Sequence, residues 1–149
     1  MNEDVRYEEI LNKIYENAHM ASEAIDMLLP KVENEDLSNE LNEEKAEYGK
    51  FCDGCIKLLE ESGKKPKPQN PLSKLGLWSG IQLNTLTDRS DDKIAEIMIQ
   101  GNDMGVVDIT RLLNEYDNLE EKYKNLAESL VSFEEESTQI MKDFLGKSN

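Results

Sequence analysis

Three groupings in this 149-residue sequence carry side chains able to do chemistry. Glu16-Asn17-Ala18-His19 has the Glu-x-x-His spacing that supplies a carboxylate and an imidazole to dinuclear metal sites in helical bundles. Cys52-Asp53-Gly54-Cys55 is a CxxC, able on a helix to exchange disulfides or to offer two soft ligands. Glu44 and Asp108 fall among apolar residues at helical spacing. A carboxylate buried there must find a cation, a hydroxyl or another donor.

Position decides what each is worth. The first helix's apolar seam runs through Leu11, Ala18 and Ile25. At about 100° per residue His19 lies roughly 130° from that seam, and Glu16 is nearly opposite it. Both should face outward, and His19 is the chain's one histidine, so a second Glu-x-x-His is impossible. The CxxC lacks a βαβ setting for thioredoxin-like exchange and a second CxxC for zinc. Cys55 lies on a seam and Cys52 on its flank, so both read as small buried hydrophobes. Gly54 in mid-helix costs about 1 kcal/mol relative to Ala, with no reason visible in the sequence. The serines have no triad partners, so a hydrolase reading has no support.

Glu44 and Asp108 are therefore the candidate metal ligands, with iron or manganese as the ions, and Glu134 or Glu47 could join them from seam flanks. Tyr48, Tyr7 and Tyr123, all on seams, are candidate hydrogen-bond partners. The competing reading is a polar layer that fixes how the helices align, with no cofactor.

The elements that must position these residues are helices. Apolar positions recur at spacings of three and four, and no alternating strand pattern appears. Long helices are predicted over about residues 4–33, 36–62, 91–116 and 119–145, with a shorter one over about 72–87. All belong to a single domain, residues 1–149. Pro30 should disturb the end of the first helix, Asp36 or Ser38 should cap the second, and Gly63 should close it. Residues 64–71 (KKPKPQNP) cannot be helical and read as part of a crossover. The fifth helix shows the seam Leu119, Tyr123, Leu126, Leu130, Phe133, Ser137, Ile140 and Phe144. Fold class is all-α: a four-helix bundle with an additional helix in the crossover region.

That additional helix is apolar on several sides, with Leu72, Leu75, Leu77, Trp78, Ile81, Leu83 and Leu86. It reads as a lid over the bundle or as a homo-oligomer interface running from Leu72 through Trp78 to Leu86. Gly76-x-x-x-Gly80 and Gly101-x-x-x-Gly105 place small residues one turn apart. They permit close helix approach and are not phosphate loops.

A net charge of −15 repels nucleic-acid backbones and anionic lipid, so neither nucleic acid nor a membrane surface is an expected partner. The acidic N-terminus lacks the apolar core of a signal peptide, no window is long enough to span a bilayer, and a cytoplasmic location is expected.

Asn70-Pro71-Leu72 through Trp78-Ser79-Gly80-Ile81-Gln82, continuing into Ile94-Ala95-Glu96-Ile97-Met98-Ile99-Gln100-Gly101, carries a resemblance. With the first and last helices, it resembles a group of uncharacterised small helical proteins of anaerobic Gram-positive bacteria with a ferritin-like bundle. The resemblance implies an up-down, crossover, down-up arrangement and transfers no activity. Function is then expected to be that of a non-catalytic binding or interaction module, the alternative being a divergent carboxylate metalloprotein.

Overall fold

The computed structural model describes residues 3–147, with side chains from Arg6 onward. Five α-helices run in order: α1 (Glu3–Leu28), α2 (Glu35–Glu60), α3 (Pro71–Asn84), α4 (Asp91–Glu115) and α5 (Glu121–Lys142). The fold is all-α, with no strand among the described residues. None of these helices is long and apolar enough to cross a membrane.

Local chemistry sets the helix ends. α1 stops at Leu28 rather than near Glu33, because Pro30 lacks an N–H and the chain tightens into one 3-10 turn, Leu29–Lys31. The α2 cap is Asn34, not Asp36 or Ser38: its Oδ1 accepts from Leu37 N at 3.1 Å. Asp36 instead sits in the first turn, where a negative charge meets the helix's positive end. Gly63, with φ of 69°, ends α2 as expected. Lys64 N donates to Leu59 O and Gly63 N to Glu60 O, the paired bonds of a Schellman ending. α5 begins two residues later than predicted and ends at Lys142, after which single turns lead to Gly146.

Cross-helix contacts give the directions. Lys45 of α2 meets Asp26 of α1, and Lys64, just past α2, meets Glu8 of α1, so these helices are antiparallel. Asn102 and Asp92 of α4 meet Ser137 and Gly146, so α4 and α5 are antiparallel too. Tyr7 stacks on Tyr123 at 4.9 Å and Asn17 reaches Glu134, which makes α1 and α5 parallel. The chain therefore goes up, down, down, up. The link from α2 to α4 must travel the full length of the molecule.

It does so along α1. Lys67 N donates to Asn12 Oδ1 at 2.8 Å, and Lys74 and Gln82 of α3 meet Glu23 and Lys31. At the top the buried Asp91 carboxylate accepts from Glu33 N (3.2 Å) and Asn34 N (2.9 Å), tying the start of α4 to the joint between α1 and α2. The core is one cluster that includes Ile10, Leu11, Ile14, Ile25, Leu41, Leu59, Ile94, Ile109 and Leu130.

Candidate functional site

Halfway along the molecule this core is interrupted by polar side chains from all four long helices. α2 supplies Glu44 and Tyr48, α4 supplies Asn102, α5 supplies Glu134 and Ser137, and these are all buried. α1 adds the half-buried Asn17. Asn17 Nδ2 donates to Glu134 Oε1 at 3.1 Å, Asn102 Nδ2 to Ser137 Oγ at 2.9 Å, and Ser137 Oγ to Glu44 Oε1 at 2.6 Å. The Tyr48 hydroxyl lies 3.2 Å from both Asn102 Oδ1 and Glu134 Oε2.

That hydroxyl has one proton for two acceptors. A neutral Glu134 resolves the competition, since its own proton can go to Tyr48 and leave Tyr48 to donate to Asn102. The electrostatics point the same way. Burial pushes the Glu134 carboxyl up to about 7, helped by the Asp108 charge and opposed by the bonds from Asn17 and Tyr48. Burial likewise lifts Glu44 to about 8, opposed by Ser137 and reinforced by Glu40 and Glu136. Glu44 Oε2 is buried without a hydrogen-bond partner.

Gly105 makes room for this layer. A Cβ there would lie 2.5 Å from Asn17 Nδ2 and 2.7 Å from Glu134 Oε2, so a side chain at 105 would push these two polar groups from their places. Gly101, its partner in the Gly-x-x-x-Gly pair, has open space at the same position.

A pocket of about 250 Å³ between α1, α3 and α4 ends on this layer. Met20, Ala21 and Ala24 of α1, Leu77 and Ile81 of α3, and Ile97 and Met98 of α4 form its apolar walls. Asn17, Asn102 and Glu134 face it from within, and Lys13, Glu16 and Asp108 stand at its mouth.

Of the two carboxylates singled out in the sequence, Glu44 is buried, with Ser137 rather than a tyrosine as its donor. Asp108 is not on the buried face. Its side chain is 39% exposed and pairs with Lys13 and Arg111, because the buried face of α4 runs through Asn102, Gly105 and Ile109, leaving Asp108 on its edge. The two do not meet. Among the described residues no three His, Cys, Asp or Glu side chains converge to hold a metal ion. Glu134 joins the centre of the layer, whereas Glu47 pairs with Lys50 on the surface. Asn17 and Asn102 are neutral amides that no motif marks in the sequence. Asn102 belongs to the series Ala95, Met98, Asn102, Gly105, Ile109, Leu112, spaced by three and four, which was the signal available for it.

The other groupings lie apart from the layer. Glu16 is exposed, and His19 stacks on Tyr15 and faces Glu23 at 3.8 Å. Cys55 is buried and Cys52 half-buried, and both are free. Burial pushes their thiols up to about 12 and about 11, away from the thiolate that redox chemistry needs. Gly54 needs no close backbone: a Cβ would meet only the Leu126 side chain, at an ordinary 3.5 Å.

α3 packs Ile81 and Leu77 against the bundle and turns Leu72, Leu75, Trp78 and Leu83 outward, with Leu86 exposed just beyond its end. Leu72 is 72% and Trp78 50% exposed. Lys64, Lys65, Lys67 and Lys74 lie in this part of the chain, and residues 62–87 contain no Asp or Glu.

No family model matches the sequence, and neither does any curated protein. Among solved structures the chain is similar to YcfI of Rhodopseudomonas palustris, provisionally described as a structural protein. The TM-score is 0.62 at 14% identity, over 95% of this chain and 94% of that one. The likeness is one of fold.

Proposed function

We propose that this protein is a non-catalytic, ferritin-like four-helix bundle that serves as an interaction module and pairs with a second copy of itself through α3. The observation that carries this reading is the outer face of α3, where Leu72, Leu75, Trp78 and Leu83 stand in water with Leu86 beside them. Large exposed apolar patches mark interaction surfaces, and an exposed tryptophan is a common anchor. The choice of a second copy rests on charge. In a chain of net −15, α3 and the strap before it are the acid-free stretch. Two copies of this acidic chain meeting there bury apolar side chains on each other without setting carboxylate against carboxylate. The up-down-down-up helix directions support the ferritin-like connectivity.

Sedimentation velocity tests this. The wild type should be a dimer at micromolar concentration, and Leu75→Glu/Trp78→Glu should be a monomer with unchanged helicity. A monomeric wild type, or one that instead sediments with lipid vesicles, would overturn it. The metal reading keeps one supporting observation: Glu44 Oε2 is buried without a donor, and the neighbouring Glu40 carboxyl can bond to Glu44 only through a shared proton. Stoichiometric iron or manganese in protein purified without chelators, lost in Glu44→Ala, would replace the non-catalytic reading.

A further inference from the structure

The pocket between α1, α3 and α4 is separate from the outer face of α3, and its chemistry is specific. We infer that it is a binding site for a small amphiphilic cation, a primary ammonium carried on a short apolar tail. The floor sets the head group. Glu134 is 1% exposed, accepts from neutral donors, and has no cation beside it among the described residues. Without a ligand a proton on Glu134 satisfies the layer; once that proton leaves, the one Tyr48 proton leaves either Glu134 Oε2 or Asn102 Oδ1 short of a donor. Both residues face the pocket. An ammonium has three donors and no acceptor, so it fills that deficit and neutralises the carboxylate at once.

The walls set the rest of the molecule. Met20, Ala21, Leu77, Ile81 and Ile97 give a tail only apolar contacts. A hydrated inorganic cation would lose its water there to a single carboxyl and two amides, too few ligands to repay dehydration. At about 250 Å³ the space lies just under the usual range for small-molecule sites, which suits a tail of about six carbons. The mouth selects by sign. Glu16 and Asp108 outnumber Lys13, which lies 3.8 Å from each. Cations are drawn in and anions of the same shape repelled.

Calorimetric titration of the full chain with n-hexylammonium, hexanol and hexanoate, at neutral pH and physiological salt, tests the site. Hexylammonium should bind saturably at one site, hexanol at least about tenfold more weakly, and hexanoate not at all. Glu134→Gln should lower hexylammonium to the level of hexanol. Ala21→Phe, which fills the pocket from the wall and leaves the polar layer alone, should abolish binding of both while the thermal melt stays cooperative. Should Glu134→Gln fail to fold, Ala21→Phe with the three ligands still decides. No saturable binding, equal binding of hexanol, or hexylammonium binding that survives Ala21→Phe would overturn the inference.

Discussion

Glu44 and Glu134 stand at the two ends of one hydrogen-bonded chain, Glu134–Tyr48–Asn102–Ser137–Glu44, and neither has a cationic partner among the described residues. Each acceptor along it finds a donor only when a proton is present at the Glu134 end. The layer is built for at least one neutral acid, which buried salt bridges are not.

Stability should therefore fall as pH rises. Both carboxyls are raised in the folded protein, to about 8 and about 7 from 4.5. Between pH 5 and 7 the folded state holds protons that the unfolded chain has already lost, so each acid contributes stability that disappears as pH climbs through its folded value. Each group can add a slope of up to about 1.4 kcal/mol per pH unit. Urea unfolding of wild type and Glu44→Gln/Glu134→Gln across this range should show a clearly flatter dependence in the variant. The other carboxylates are common to both proteins. Equal slopes would mean that the two acids ionise normally.

The two glycines of Gly101-x-x-x-Gly105 should respond in opposite directions. Gly105→Ala forces a methyl onto Glu134 and Asn17 and should cost about 1–3 kcal/mol. Gly101→Ala meets nothing within 4 Å and should gain up to about 1 kcal/mol from helix propensity. Thermal melts of the two single variants give the comparison, and a harmless Gly105→Ala would contradict the close approach of α4 to the polar layer.

The cysteines should be silent. With thiols at about 11 and about 12, native protein at pH 8 should resist iodoacetamide, Cys55 more than the half-buried Cys52. Both should be alkylated once the chain is unfolded. Intact-mass analysis after timed quenching reads this directly, and rapid native modification or an oxidant-induced disulfide would restore a redox role.

The helices were legible because their apolar spacing is periodic, and the crossover because its prolines exclude helix. Asn34, Asp36 and Ser38 are equally good capping types, and only Pro30 ending α1 early leaves room for α2 to start at Glu35 with Asn34 as its cap. The site was harder. On α5 two stripes differ by one position: the bulky one through Leu126 and Phe133, and the observed one through Ala127, Leu130, Glu134 and Ser137. The second is buried because small Ala127 permits close approach, while Phe133 slides to the flank and packs edge-on against Tyr48 at 5.1 Å. Ala127 hints at that choice within α5's own sequence, and the packing of the neighbouring helices makes it. The same holds for Asp108, whose half-exposure follows from how α4 is rotated, and for the pocket, which exists only once α3 lies along α1.

The polar layer also bears on synthesis. Glu44 waits for a partner 93 residues further on, and Tyr48 for one 86 residues further on. Once α1 and α2 have left the ribosome, their inner face cannot be fully covered until α5 is made. Polar side chains halfway along that face keep it from being a continuous greasy strip during the wait, which lowers its tendency to stick to other nascent copies. The residues that complete the finished core thus also guard the unfinished one.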